Sequence, residues 1–258
     1  MISFNRLGYK GRLGNQMFQY AATLGIARKI GTSASCNIGH DLCTIGKCFQ
    51  LGSVNDSIIL FDKMRTYKEP KFNFNEEVFH FDPNSCVDLD GYFQTERYFK
   101  HIDGEIRKNF KFKEDIEHEA SDVFQILGIE PSNTVSLHIR RGDYVAIQNH
   151  HPLQTIEYYM NGLDILNAKR EMDVLVISDD IHWCIQNLKG SKYKYCTSSP
   201  FVDMCVMSKC SGHVIANSSF SWWAAWLSGN PTVAPKTWFG PATSYDWNDI
   251  YCEGWTIL

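Results

Sequence analysis

The chain of 258 residues has no large excess of charge: 25 Lys and Arg stand against 29 Asp and Glu, a net charge of −4. That balance excludes a domain held to nucleic acid by general electrostatics, which needs clustered basic residues. The nine cysteines include no CxxC pair and no zinc-type quartet, and Cys43 with Cys48, or Cys205 with Cys210, are spaced too widely for a finger. Reduced thiols in a cytosolic compartment are the expectation. No apolar run approaches the ~18 residues of a membrane span. The longest, Phe220 to Leu227 (FSWWAAWL), reads as a buried helix. The first residues, MISFNRLGYKGRLGNQ, lack the apolar core of a signal peptide, so the fold is expected to start at once and the location to be cytoplasmic. Internal repeats, low-complexity tracts, a Walker loop and a dinucleotide fingerprint are all missing. What remains, with 44% hydrophobic and 21% charged residues, is a globular chain of one large or two modest domains.

The most informative stretch is Thr134 to Tyr144, TVSLHIRRGDY. Val135, Leu137 and Ile139 alternate with Thr134, Ser136, His138 and Arg140, the period-two pattern of a strand, so His138 and Arg140 are expected on one face. The strand runs into Arg141, Gly142 and Asp143. Two adjacent arginines beside a glycine turn form a fork of donors suited to a pyrophosphate. The competing reading is a salt bridge to Asp143 or Asp179.

Two more strands end at polar clusters. Asp173 to Ile177 (DVLVI) stops at Ser178, Asp179 and Asp180; His213 to Ala216 (HVIA) stops at Asn217, Ser218 and Ser219. Strand and helix patterns alternate from here to residue 235, which predicts a parallel α/β sheet with ligand bound outside the strands' carboxyl ends, in one crevice. The Ser-Asp-Asp cluster could hold a divalent metal or cap a helix, and the cap is favoured because the arginines already supply positive charge. Asn217, Ser218 and Ser219 also cap a helix, whose free amides and hydroxyls suit a phosphate. Asp203, in a helix over Phe201 to Ser208, is either solvated surface or an acceptor for the paired N–H donors of guanine. Trp222, Trp223 and Trp226 read as core more than as a sugar platform.

Ile2 to Phe4 is expected to be a first strand, followed by a glycine turn (Gly8, Gly11, Gly14) and a helix from Asn15 to a stop at Gly31. The GRLGNQ turn is either purely structural or an anion site. Ile58 to Phe61 is read as a strand, Gly91 to Phe99 as a strand passing into a helix start at Thr95, Glu114 to Leu127 as an amphipathic helix, and Leu153 to Ala168 as another. The GIEPS segment before Thr134 is the expected interdomain crossing. The expected domains are therefore 1–130, 131–240 and a tail, 241–258, packing back on the body.

Taken together, GRLGNQMFQYA, HIRRGDY, ISDDIHWC and FVDMCVMSKCSGHVIANSSFSWWAAWL resemble the α-1,2-fucosyltransferases, glycosyltransferase family 11, in order and spacing over most of the chain. The resemblance implies a GT-B-like α/β fold, two Rossmann-like domains facing a crevice. It also implies transfer of L-fucose from GDP-fucose to the 2-hydroxyl of a terminal galactose, with inversion and without metal or other cofactor. His138 and Asp203 would contact the guanosine, Arg140 the β-phosphate, and Ser218, Ser219 and Phe220 the phosphates and sugar. Arg141, Asn217 and Gly14 complete the expected donor site. Asn15 would reach the reacting centre, and Asp143, with His150 or His151 behind it, is the candidate base. The expected partners are GDP-fucose and a galactose-terminated oligosaccharide, soluble or lipid-carried in the cytoplasm, with no nucleic acid. The alternatives are another nucleotide-sugar transferase, or a nucleotide- or glycan-binding module without catalysis.

Overall fold

A computed structural model describes residues 1–58, 64–167 and 172–258. The chain forms two compact units, Met1–Lys113 with Tyr245–Tyr251, and Glu114–Ser244 with Cys252–Leu258. Among the described residues no helix is long and apolar enough to cross a membrane. None of the nine cysteines is in a disulfide.

The first unit contains β1 (Ile2–Phe4), α1 (Leu13–Ile30), β2 (Ala34–Cys36), α2 (Ile45–Cys48), β3 (Asn55–Asp56), β4 (Arg65–Lys68), β5 (Val87–Asp90) and α3 (Asp103–Asn109). Its strands are all parallel, in the order β3-β2-β1-β5-β4. Helix α1 is buried on every side from Leu13 to Ala27 apart from Asn15, so its sequence carries no clean polar stripe. It ends at Gly31, as expected. The strand expected at Ile58 to Phe61 lies, beyond Ile58, outside the described residues. The strand read into Gly91 to Phe99 is displaced: β5 ends at Asp90, and Thr95 caps only a 3-10 turn, Glu96–Tyr98.

The second unit contains α4 (Glu114–Leu127), β6 (Thr134–Ile139), α5 (Ile156–Asn167), β7 (Asp173–Ser178), α6 (Ile181–Asn187), β8 (Tyr193–Tyr195), α7 (Pro200–Lys209), β9 (Gly212–Val214), α8 (Ser219–Ser228), β10 (Thr232–Ala234) and β11 (Thr256–Ile257). Its six strands are parallel in the order β11-β10-β9-β6-β7-β8, so β6 is central between β7 and β9. Both faces of β6 are covered. Val135, Leu137 and Ile139 pack into a core with Tyr158, Tyr159 and Leu163 of α5 and Cys184 of α6. On the other face Ser136 meets His213 at 2.7 Å, and the His138 ring lies 5.4 Å from that of Phe220 in α8. Trp222, Trp223 and Trp226 are core, packed on one another, and Trp222 also meets Trp255. That burial removes them as a sugar platform.

The unit boundary falls at 113/114, not at 130/131 as the sequence predicts. Helix α4 buries Ile116, Ala120 and Phe124, packs on α7 and pairs Glu117 with Lys209, which ties it to the second sheet. Gly128 and Pro131 therefore lie within that unit. The tail is shared: residues 245–251 belong to the first unit, while β11 pairs with β10. Each unit is a Rossmann-like α/β layer, and the fold is GT-B-like.

Candidate functional site

Parallel strands joined by helices place every strand end and following helix start on one edge of the sheet. In the second unit that edge gathers the loops after β6, β7, β8 and β9, which carry Arg140 to Tyr144, Asp179 with Asp180, Ser198 to Asp203, and Ile215 to Phe220.

Arg140 leaves the end of β6 and is held from two sides. Its Nη2 pairs with Asp143, and its Nη1 lies 2.9 Å from Asp179 Oδ2. The guanidinium also lies 5.1 Å from the Tyr144 ring. The salt-bridge reading of the arginines is thus realised, and with it a fixed cation at the strand ends. Arg141 turns toward α6: its Nε pairs with Asp180 at 3.0 Å, and its guanidinium lies 4.0 Å from the Trp183 ring. Its backbone N–H donates to Asp179 Oδ1 at 2.8 Å. Gly142 is required here, because a Cβ would overlap the Asp179 carboxylate.

Asp180 caps α6, accepting the Trp183 N–H at 3.3 Å, and its own N–H donates to Ser178 Oγ at 3.0 Å. The cap reading of this cluster holds, and both carboxylates are already engaged by arginine. Tyr144, which the sequence reading passes over, joins two loops. Its hydroxyl donates to Asn217 O at 3.1 Å, while its ring stacks on His151 at 4.6 Å. Asn217 spends its amide hydrogens on Pro152 O (3.1 Å) and Trp238 O (2.9 Å), so it braces the loop and has none left for a phosphate. Ser218 caps α8 by accepting the Phe220 N–H at 3.4 Å. Ser219 and Phe220, half-buried, open the first turn. Tyr158 of α5 secures the end of β9 by donating to Ile215 O at 2.6 Å.

His138 is buried, and among the described residues nothing bonds its Nδ1. Burial, reinforced by the Arg140 charge, pushes its pKa down to about 3, so the ring is neutral. A buried polar atom without a partner needs an explanation, and a ligand group is one. Asp203 sits in the first turn of α7, capped by Ser199, and accepts the Cys196 thiol at 3.1 Å. Burial raises its pKa to about 6. It is no solvated surface aspartate. His150 is exposed, and His151 is held between Tyr144 and Phe239.

Gly14 and Asn15 belong to the first unit, in the opening turn of α1. Asn15 Oδ1 accepts a hydrogen bond of 2.6 Å from Gln94, in the loop after β5. Gln94 and Glu69, whose carboxylate takes the Tyr92 and Phe93 amides at 2.7 and 3.0 Å, are absent from the sequence reading. Separations of 79 residues for Asn15–Gln94 and 38 for Asp179–Arg141 leave no local pattern to find.

The family model for glycosyl transferase family 11 matches residues 2–258. Alpha-1,2-colitosyltransferase of Escherichia coli is 32% identical over 267 residues, covering 89% of this chain and 90% of its own length. Galactoside 2-alpha-L-fucosyltransferase Sec1 of Mus musculus is 29% identical, covering 87% of this chain and 64% of its own. Among solved structures, fucosyltransferase NodZ from Bradyrhizobium superposes with a TM-score of 0.58 at 12% identity, over 86% of this chain and 91% of that one, a likeness of fold. The chain belongs to glycosyl transferase family 11.

Proposed function

We propose that the chain transfers L-fucose from GDP-fucose to the 2-hydroxyl of a terminal galactose, with inversion and without a metal ion. The observation that carries this reading is Arg140, clamped by Asp143 and Asp179 on the strand edge where the Ser218-capped helix α8 also begins. The α-1,6-fucosyltransferase NodZ has been crystallised with GDP and soaked with GDP-fucose, and the mouse relative is named for 2-linkage to a galactoside.

As the fucose–phosphate bond breaks, negative charge grows on the β-phosphate. A guanidinium and helix amides already in place stabilise that charge without reorganising, more in the transition state than in the ground state. The fucosyl carbon becomes oxocarbenium-like and the acceptor hydroxyl attacks from the opposite face. Ser218, Ser219 and Phe220 bind the phosphates and sugar in this scheme. His138 and Asp203 take the guanosine, Asp203 accepting from the guanine edge. Arg141 contributes charge from beside Trp183, and Asn15 serves the acceptor side. Asp143 is assigned here to positioning Arg140, with which it pairs alongside Asp179. A dissociative reaction draws little on a base.

A second donor is favoured by the E. coli relative, named for colitose, which is fucose without its 3-hydroxyl. Comparing kcat/KM for GDP-fucose and GDP-colitose on one galactoside separates them. A site that bonds the 3-hydroxyl prefers fucose strongly, because the deoxy sugar leaves polar groups unpaired. Preference for GDP-colitose overturns the fucose assignment, and GDP binding without turnover of any donor makes the chain a binding module.

A further inference from the structure

The first unit carries a structured feature at its own strand edge that the donor chemistry does not use. The loop after β5 places Phe93 at φ 53°, the left-handed region, the one non-glycine residue with positive φ among those described. Such a backbone is strained and persists only where the surroundings impose it. They do. The Phe93 ring is fully buried between Phe4 and Tyr98, with centroids at 6.3 and 5.4 Å. Glu69 takes the amides of both Tyr92 and Phe93. Gln19 fastens the same loop to the glycine turn, donating to Gly91 O at 3.1 Å and Lys10 O at 3.2 Å.

The next residue after this strained one is Gln94. It is 8% exposed and donates to Asn15 Oδ1 at 2.6 Å. Gly11, at φ 82°, makes room for Asn15, since a Cβ there would overlap the Asn15 amide. Two amides joined head to head use one N–H and one oxygen. Whichever way they are turned, the pair keeps one carbonyl acceptor and N–H donors unspent. Among the described residues nothing else bonds them. That edge is uncharged, with no guanidinium or ammonium among the described residues bonded to either amide, which suits the neutral hydroxyls of a sugar.

We infer that Gln94, locked to Asn15, positions the sugar acceptor, with the free amide edge taking two neighbouring hydroxyls of the galactose. This rests on the galactoside reading and adds the residue that would read the acceptor. Glu69 and Phe93 act through Gln94 and are positioning residues.

The test is steady-state kinetics of Gln94→Ala and the near-isosteric Gln94→Glu with a galactoside and its monodeoxy analogues. The expected result is an acceptor KM raised at least about tenfold, the scale of a lost buried hydrogen bond, with donor KM and GDP affinity within about twofold. One deoxy acceptor should no longer distinguish variant from wild type. Equal loss on every acceptor, or an equal rise in donor KM, overturns the inference, as does an unchanged acceptor KM. Should Gln94→Ala not fold, Gln94→Glu carries the comparison. If the wild-type chain transfers nothing, the transfer reading fails separately. Binding is then read from the Gln94 side-chain amide resonances of the full chain on titration with a galactose-terminated oligosaccharide. A shift supports the subsite and no shift overturns it.

Discussion

Asp179 Oδ2 lies 2.9 Å from Arg140 Nη1 while its other oxygen takes the Arg141 backbone N–H at 2.8 Å, so one carboxylate after β7 fixes both arginines after β6. Asp179→Asn keeps an acceptor for the backbone amide and loses the charge that orients Arg140. The expected loss in kcat is roughly 10- to 100-fold, the worth of one charged hydrogen bond, with thermal stability nearly unchanged. Kinetics beside a melting curve check it.

Gly142→Ala should imitate that change from the other side. The new Cβ would displace the Asp179 carboxylate, which then no longer meets Arg140. Combining Gly142→Ala with Asp179→Asn should cost little more than either alone, because both remove the same contact. Additive losses would place the two residues in separate roles.

Arg140→Ala is expected to lower kcat by about 10²- to 10³-fold, or ~3 to 4 kcal/mol, the cost of one lost oxyanion-type donor. Arg140→Lys should recover little, since a point charge cannot face Asp143, Asp179 and a phosphate at once. Single-turnover rates at saturating donor measure this directly.

The parts of this arrangement that were legible in the sequence are the local ones. The alternation in Thr134 to Ile139 marks β6 because both its faces are buried with different chemistry, apolar toward α5 and polar toward α8. Strands of two or three residues, such as β2, β8 and β11, are too short to show a period. Helix α4 was legible from Glu114 to Leu127, but an amphipathic stripe does not say which sheet it covers, and the domain boundary was misplaced for that reason. Arg140 and Ser218 stood out by residue type, whereas the Tyr144–Asn217 and Asn15–Gln94 bonds exist only once distant loops meet.

Acid should weaken the second unit. His138 and His213 have pKa values lowered to about 3 by burial, with the Arg140 charge a second cause for His138. The unfolded chain takes up protons on these rings near 6.5 and the folded unit does not, so their stability is present above pH 6.5 and drains away as pH falls toward 3. Asp203, raised to about 6 by burial, works the opposite way: its share is present below about 4 and lost as pH rises to 6. Two histidines outweigh one aspartate, so the net stability should fall from pH 7 to 5. Six of the seven tryptophans lie in this unit, so fluorescence-detected urea midpoints report it. In His213→Gln, which leaves one of these histidines against Asp203, most of that fall should disappear.

The most direct measurement is transfer from GDP-fucose to a galactose-terminated oligosaccharide in excess chelator, with the product's linkage read by NMR. An arginine-held diphosphate predicts an α-1,2-linked fucosyl galactose formed at the same rate with or without chelator. Product that appears only when a divalent cation is restored would contradict it.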